Sequence, residues 1–500
     1  MLKEIVFFDE ITLWWTKDEF NFATSYKFFL DDSYHGTTDK THYSFLGLKA
    51  NEQYHIRLEW CNEEHLIGKR EFLLITKKEK KCIDITKVPY SACGDGKTLN
   101  TIKIQRALDE CTENDFIYIP AGVYLTGALN VHSNTEIYLD KNAFLQGTAN
   151  PTDYLPKIKS RFEGKEMECY RSLLNCGELN HESGYNCRNI IVRGAGTIFG
   201  GGRPLATNII EVEQERLKKF MEQNTELVQS CETINTIPGR VRGRLINMSN
   251  CENVVLNGLT MGYGPSWNIH FIYSKDIVTY NCFIHSNILK DEQGNIIMDR
   301  VWNGDGWDPD SSENCVIFDT LFATGDDCIA IKSGKNPEGN LINRPTKNIY
   351  IFDCKTQSGH SVAIGSEMSG GVENVYIWDC DLKDCNMGVQ IKATKERGGY
   401  VRNVYVRDSQ MRTIYVRAKV PYNNDGEAAR TLPVLENYSY ENITLYGRME
   451  YGRRDYIYLE GYEDVEHHLN NVFLKNIAFV GIEAEQGIYQ NCVDNLKIEK

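Results

Sequence analysis

The amino-acid sequence predicts an all-β molecule: a β-solenoid over residues 80–500, preceded by a small β-sandwich over residues 1–79. Two observations carry this expectation. In the second part, an Asn or Asp followed by alternating apolar residues recurs at intervals, and a one-strand signal repeating every roughly 20 to 40 residues marks stacked coils. The first part holds short aromatic and β-branched runs separated by polar turns, as a sandwich does. Five hundred residues also exceed what one ordinary core encloses, so two domains or an elongated array are expected.

The sandwich strands are read at 11–15 (Ile-Thr-Leu-Trp-Trp), 25–30, 54–60 and 71–75. The segment 41–54 resembles the turn between the fifth and sixth strands of fibronectin type III domains, and the Lys-rich run 77–81 reads as a linker. Apolar residues Ile102, Ile104, Ala107 and Leu108 are spaced as on a helix over about 98–111, which would cover an otherwise open sheet end. The repeat then begins. Its anchors from Asn253 are Asp276, Asn314, Asn348, Asn374, Asn403, Asn442 and Asn471, separated by 23, 38, 34, 26, 29, 39 and 29 residues. Propeller blades would need four strands per repeat and more regular spacing. Irregular lengths imply loops leaving the coils, and such loops build sites. Residues 208–230, rich in helix formers, read as an inserted helix beside the groove.

Composition excludes several functions. The formal charge is −14, whereas nucleic-acid binding needs a basic footprint. No stretch approaches the length of a membrane span, and the N-terminus lacks the apolar core of an export signal, so a cytoplasmic location is expected. The sixteen cysteines form no CxxC pair, which favours reduced thiols in a core over disulfides or a metal cluster. The sequence is silent on oligomeric state.

Four positions carry chemistry. They are Asp305 in Asn303-Gly304-Asp305-Gly306, Asp326 and Asp327 in Gly325-Asp326-Asp327-Cys328, His360 in Gly359-His360-Ser361, and Lys392 in Gln390-Ile391-Lys392. Alone, each has an ordinary reading as a turn residue, a solvated acidic pair or a surface side chain. Their separations of 21, 34 and 32 residues, however, suit successive coils, and adjacent strands about 4.8 Å apart would line them up in one groove. Inverting glycoside hydrolysis needs a protonated carboxyl at the leaving oxygen and a carboxylate that activates water. Crowded carboxylates help keep one of them protonated.

In order and spacing, these motifs resemble the four signatures of glycoside hydrolase family 28, the polygalacturonases. The resemblance spans about residues 82–500, and Ser366-Glu367-Met368-Ser369-Gly370-Gly371 is similar to the family's exo-acting subgroup. It implies a right-handed parallel β-helix, single-displacement inversion, and neither metal nor other cofactor. By position it implies Asp326 as general acid, Asp305 and Asp327 as water activators, His360 as support for the acid, and Lys392 as a substrate contact. Asn303, Trp267, Asn268 and Arg397 are further expected substrate contacts. Gln390, also expected at the substrate, stands where the family usually has Arg, and Ser361 where it usually has Gly. The lost charge is expected from Lys395, Arg397 or Lys332. The expected function is release of galacturonate units from an acidic pectic oligosaccharide, with no nucleic-acid or membrane partner. The same mechanism on another pectic sugar, a calcium-dependent lyase and a non-catalytic sugar-binding solenoid are the competing readings.

Overall fold

The computed structural model describes residues 1–231, 233–420, 426–450, 453–481 and 487–500. The chain forms two compact units, Met1–Lys81 and Cys82–Lys500.

In the first unit, strands Leu2–Val6, Glu10–Trp15 and His42–Leu46 make one antiparallel sheet. Strands Ser33–Thr38, Ser25–Leu30, Gln53–Asn62 and His65–Ile75 make the other. Burial alternates along Gln53–Asn62, so one face of each pleat supplies the core and the other meets water. That core is aromatic, with Trp15, Tyr26, Phe28 and Phe45 packed around Ile56 and Leu58.

The second unit is a parallel β-helix. Its coils stack into a 22-stranded sheet that wraps two faces and an 11-stranded sheet on the third, and the coil-to-coil pairings are parallel. In the smaller sheet, Ile269, Trp307, Ile329, Val362, Val389 and Ile414 pair in one column. All of them are buried in one continuous apolar core. Each such side chain, fully removed from water, stabilises the stack by about 1.5–3 kcal/mol.

The repeated Asn anchors the turn between faces. Asn314, Asn348, Asn374, Asn403, Asn437 and Asn471 all adopt left-handed backbone with φ between 55° and 62°, a conformation Asn tolerates better than most residues. Each side-chain amide donates to the anchor of the preceding coil at 3.0–3.2 Å, and Asn314 donates to Asp276. The ladder runs through Asn437, not Asn442 as the spacing suggested. Asn442 belongs to a second, parallel ladder, Asp408–Asn442–Asn476. The long strand Val434–Leu445 carries one anchor of each kind, so the irregular 39 and 29 resolve into 34 and 34. A second recurrent turn reads aromatic–Asx–small. In Tyr280-Asn281-Cys282, Phe318-Asp319-Thr320, Phe352-Asp353-Cys354 and Trp378-Asp379-Cys380 the middle residue has positive φ. The four rings stack with centroids 4.4–4.9 Å apart.

The N-terminal cap is the helix Thr101–Glu110, with Ile104, Ala107 and Leu108 buried. Ile102 is 85% exposed. It sits two residues before Ile104, on the other side of a 3.6-residue turn. The insert is longer than the expected 208–230: a helix at Gly202–Gln223 is followed by Thr225–Ser230 and Thr236–Gly239. Helix-forming composition marks only its middle, because the first turn begins at glycines and Pro204, which suits a helix start. A hairpin, Ile158–Phe162 with Lys165–Cys169, was not foreseen.

Candidate active site

The loops leading into successive strands of the smaller sheet are tied together by their backbones. The Asn268 N–H donates to the Asp305 carbonyl (2.8 Å), the Gly306 N–H to the Asp327 carbonyl (3.0 Å), and the Cys328 N–H to the Ser361 carbonyl (2.9 Å). This coil-on-coil contact leaves no room for a side chain at Gly306, where a Cβ would lie 2.4 Å from the Cys328 carbonyl oxygen. Short strands follow each loop: Trp307–Asp310, Ile329–Ile331, Val362–Gly365 and Val389–Lys392. Asp305, Asp326, Asp327, His360 and Lys392 are thereby gathered at one cavity of about 740 Å³.

Within the cluster, the Lys392 ammonium donates to Asp327 Oδ2 at 2.7 Å. His360 Nδ1 lies 3.2 Å from Asp326 Oδ1 and 3.5 Å from Asp327 Oδ1. Hydrogen bonds to these two aspartates push the imidazole up to about 10, so it is a cation at neutral pH and its Nδ1–H donates. Asp327 is buried, yet the neighbouring Lys392 and His360 outweigh desolvation and hold its carboxyl well below the usual range. Asp305 behaves oppositely. Burial first, then repulsion from Asp326 and Asp327, pushes it up to about 8 against the pull of Lys332 and Lys392. Asp305 therefore keeps a proton near neutrality.

Lys332 is the charge at the centre of the site. Its ammonium is buried 3.6 Å from Asp305 Oδ2, 3.5 Å from Glu367 Oε2 and 4.5 Å from the ring centroid of Trp267. Desolvation opposes its charge, but Glu367, Asp305 and Asp308 outweigh it and raise its pKa well above the ordinary value. Below the floor, Asp308 has no hydrogen-bond partner among the described residues on either carboxylate oxygen, and burial raises its pKa well above the usual range.

Most of the expected substrate contacts line the cavity: Trp267, Asn303, Gln390, Lys392 and Arg397. Trp267 is largely buried, stacked on Phe162 at 4.9 Å. Gln390 Nε2 points to the His360 carbonyl (3.4 Å) and Asp327 Oδ1 (3.5 Å). Two expectations need correction. Asn268 is fully buried, its Nδ2 donating to the Asp305 carbonyl and its Oδ1 accepting from Gly264 N–H. It shapes the loop that presents Asp305 and does not reach the cavity. Lys395, with its side chain 75% exposed beside Glu396, points to solvent and lends the site no charge. Nothing in the sequence marks Glu367 as a partly buried counter-ion of Lys332, nor Arg242, which donates to Asn303 Oδ1 at 2.8 Å. Phe162 and Glu163 of the unforeseen hairpin, and Ile210 with Thr233–Thr236 of the insert, wall the cavity on its N-terminal side.

Asp326, Asp327 and His360 each offer an atom within 4.8 Å of the others. Lys392 already neutralises Asp327, and His360 is itself cationic, so the set suits proton chemistry and disfavours a divalent ion.

The family model described as glycosyl hydrolases family 28 matches residues 117–427. The chain belongs to glycosyl hydrolase family 28. Among relatives of this family-28 glycosidase, a protein of Vitis vinifera named "Probable polygalacturonase" is 29% identical over 386 residues, covering 73% of this chain and 70% of the relative. An exo-poly-alpha-D-galacturonosidase of Dickeya chrysanthemi is 26% identical over 392 residues, 75% of this chain but only 62% of the relative's length. The solved family 28 exopolygalacturonase of Yersinia enterocolitica superposes with a TM-score of 0.84 at 20% identity, covering 99% of this chain and 98% of that one.

Proposed function

We propose that this glycosidase is an exo-acting, inverting galacturonidase that removes terminal galacturonate from short pectic oligomers. The observation that carries the reading is that the catalytic carboxylates sit in a pocket. The hairpin residues Phe162 and Glu163 and the insert residues Ile210, Thr233, Asn235 and Thr236 line this pocket beside the carboxylates, and in this reading they close one end of the groove. A closed end admits a chain terminus and excludes a chain middle. The names of the Dickeya relative and the Yersinia structure support the same reading.

In this mechanism the proton of the carboxylate cluster reaches the leaving glycosidic oxygen from Asp326, the cluster member most open to the cavity. Asp327, ionised and held by Lys392, and Asp305 position the water on the opposite face of the sugar. His360 keeps Asp326 oriented through its Nδ1–H. Lys332 neutralises charge that would otherwise accumulate around Asp305 and Glu367. Digesting defined oligogalacturonides tests the proposal. Monogalacturonate should be the sole early product, released first as the β-anomer and followed by NMR. A ladder of intermediate oligomers would overturn exo action, and an initial α-anomer would overturn inversion. Gln390 favours one alternative, the same chemistry on another pectic sugar, which rhamnogalacturonan oligomers in the same assay separate.

Two further readings belong here. Cytoplasmic action on imported oligomers is supported by the sixteen free thiols, including Cys328 and Cys385 with sulfurs 3.6 Å apart. A fibronectin type III-type N-terminal unit is supported by its three-plus-four strand order. Tyr54, whose hydroxyl accepts the Lys49 N–H at 2.8 Å, resembles the tyrosine corner of such sandwiches and supports the same reading.

A further inference from the structure

We propose that Arg417 binds the carboxylate of the sugar on the leaving side of the scissile bond, supplying the charge that the side chain at 390 does not. This rests on the galacturonidase reading above and assigns the part of the pocket beyond the catalytic carboxylates.

The register of the smaller sheet places the residue. Gln390-Ile391-Lys392 pairs with Tyr415-Val416-Arg417 on the next coil, residue for residue, with Lys392 opposite Arg417. Strand alternation then points Gln390, Lys392, Tyr415 and Arg417 to the same outer face, while Ile391 and Val416 enter the core. Arg417 lines the cavity and is half-buried.

Of the other cations lining the cavity, Arg300 belongs to the loop that precedes Asp305, Arg448 donates to Met387 Sδ, His360 is held by Asp326, and the remaining four are engaged elsewhere. Lys392 is held by Asp327, and Lys332 lies between Asp305 and Glu367. Arg242 donates to the carbonyls of Gly239, Pro265 and Trp302 as well as to Asn303. Arg397 is buried against the Ser366 carbonyl and Asn336 Oδ1. Among the described residues, the Arg417 guanidinium makes no ion pair or hydrogen bond and lies 4.7 Å over the Tyr415 ring. Stacking fixes the plane of the guanidinium while leaving its edge N–H groups for a carboxylate, the geometry in which Arg binds such groups bidentately.

Its place along the solenoid gives the side. The lining residues of the inserted segments come from chain that precedes Asp305, whereas the Arg417 strand follows Ile329–Ile331 by three strand spacings, about 14 Å. A terminal sugar in the closed end, with its bond at Asp305, Asp326 and Asp327, directs the next sugar toward Lys392 and Arg417. Continuing the register Val416↔Leu459 by one residue brings Glu460 of strand Ile457–Glu460 opposite Arg417 on the next coil, so the anion-binding floor ends here.

The test compares digalacturonate with digalacturonate esterified only on its leaving-side carboxyl, for wild type, Arg417→Gln and Arg417→Lys. Esterification should lower the wild-type kcat/KM on the order of 10- to 100-fold, as losing a charged hydrogen-bond pair does. The penalty should shrink to near nothing in Arg417→Gln and survive in part in Arg417→Lys. An undiminished penalty in Arg417→Gln, or none in the wild type, overturns the assignment. Should Arg417→Gln misfold, the Lys variant decides by itself, since a penalty as large as the wild type's would overturn it too. A wild type that hydrolyses neither substrate removes the galacturonidase reading, and this proposal with it.

Discussion

The two sheets of the β-helix are made by the same coils yet treat buried polarity in opposite ways. Along the 22-stranded sheet, polar side chains satisfy one another in neutral Asn ladders, each amide bonded to the next coil. On the outer face of the 11-stranded sheet, like charges are forced together. Asp305, Asp308 and Asp327 are buried, and Glu367 partly buried, around Lys332 and Lys392. Both oxygens of Asp308, Nδ1 of His270 and the hydroxyl of Ser361 lack hydrogen-bond partners among the described residues. The comparison teaches where this protein stores its chemistry. Ladders stabilise the repeat, and the catalytic face forgoes stability to hold a proton and several charges away from water.

Substitutions at four positions test that contrast. Asp326→Asn should give the largest effect, lowering kcat by about a thousand-fold while substrate binding, followed by calorimetry, persists. Retained turnover would show that the acidic cluster is merely structural.

Asp305→Asn should change the pH dependence of stability. The folded pKa of Asp305 is raised to about 8, so the native state holds a proton that the unfolded chain releases above about pH 4. Stability from this group is intact below pH 4 and is lost as pH rises toward 8, by as much as about 1.4 kcal/mol per pH unit. Urea unfolding should therefore show the variant gaining on the wild type between pH 4 and 8, with little difference below pH 4. A parallel pair of profiles would mean that Asp305 titrates normally.

Lys392→Met removes the partner of a buried carboxylate. It should cost about 3 kcal/mol in urea unfolding at pH 7, along with most activity. The stability deficit should narrow below pH 4. The reason is that Asp327, whose pKa is depressed in the folded state, contributes stability only above its unfolded pKa.

Asn374→Ala probes the other sheet and should be the mildest. It breaks two ladder bonds and places Ala at φ 60°, costing about 1–3 kcal/mol with kcat/KM within a factor of two of wild type. Asn374→Gly, free at that φ, should recover part of the loss. A large activity change would mean that the two sheets are coupled more tightly than their chemistry suggests.

Much of this was written in the chain. The Asn anchors are readable because a left-handed turn residue facing its counterparts on neighbouring coils favours Asn, and the catalytic motifs are readable because coil spacing converts separations of 21 to 34 residues into adjacency. The triad Tyr415-Val416-Arg417 was equally legible as a repeat of Gln390-Ile391-Lys392, 25 residues on. It passed unnoticed because one apolar residue between two polar ones is common in any strand.

What the sequence determined by itself is the local code: which residues turn, which alternate, and which carboxylates recur at coil distance. Tertiary structure alone decided the rest. It set the register that moved the ladder from Asn442 to Asn437, turned Asn268 inward against the Asp305 backbone, and brought Lys332 and Glu367 together from different coils. It also folded the hairpin at residues 158–169 and the insert at 202–239 over one end of the site. The reason is physical: turn and strand preferences act over a few residues, whereas burial, charge pairing and closure of a cavity depend on segments that meet only when the coils are stacked.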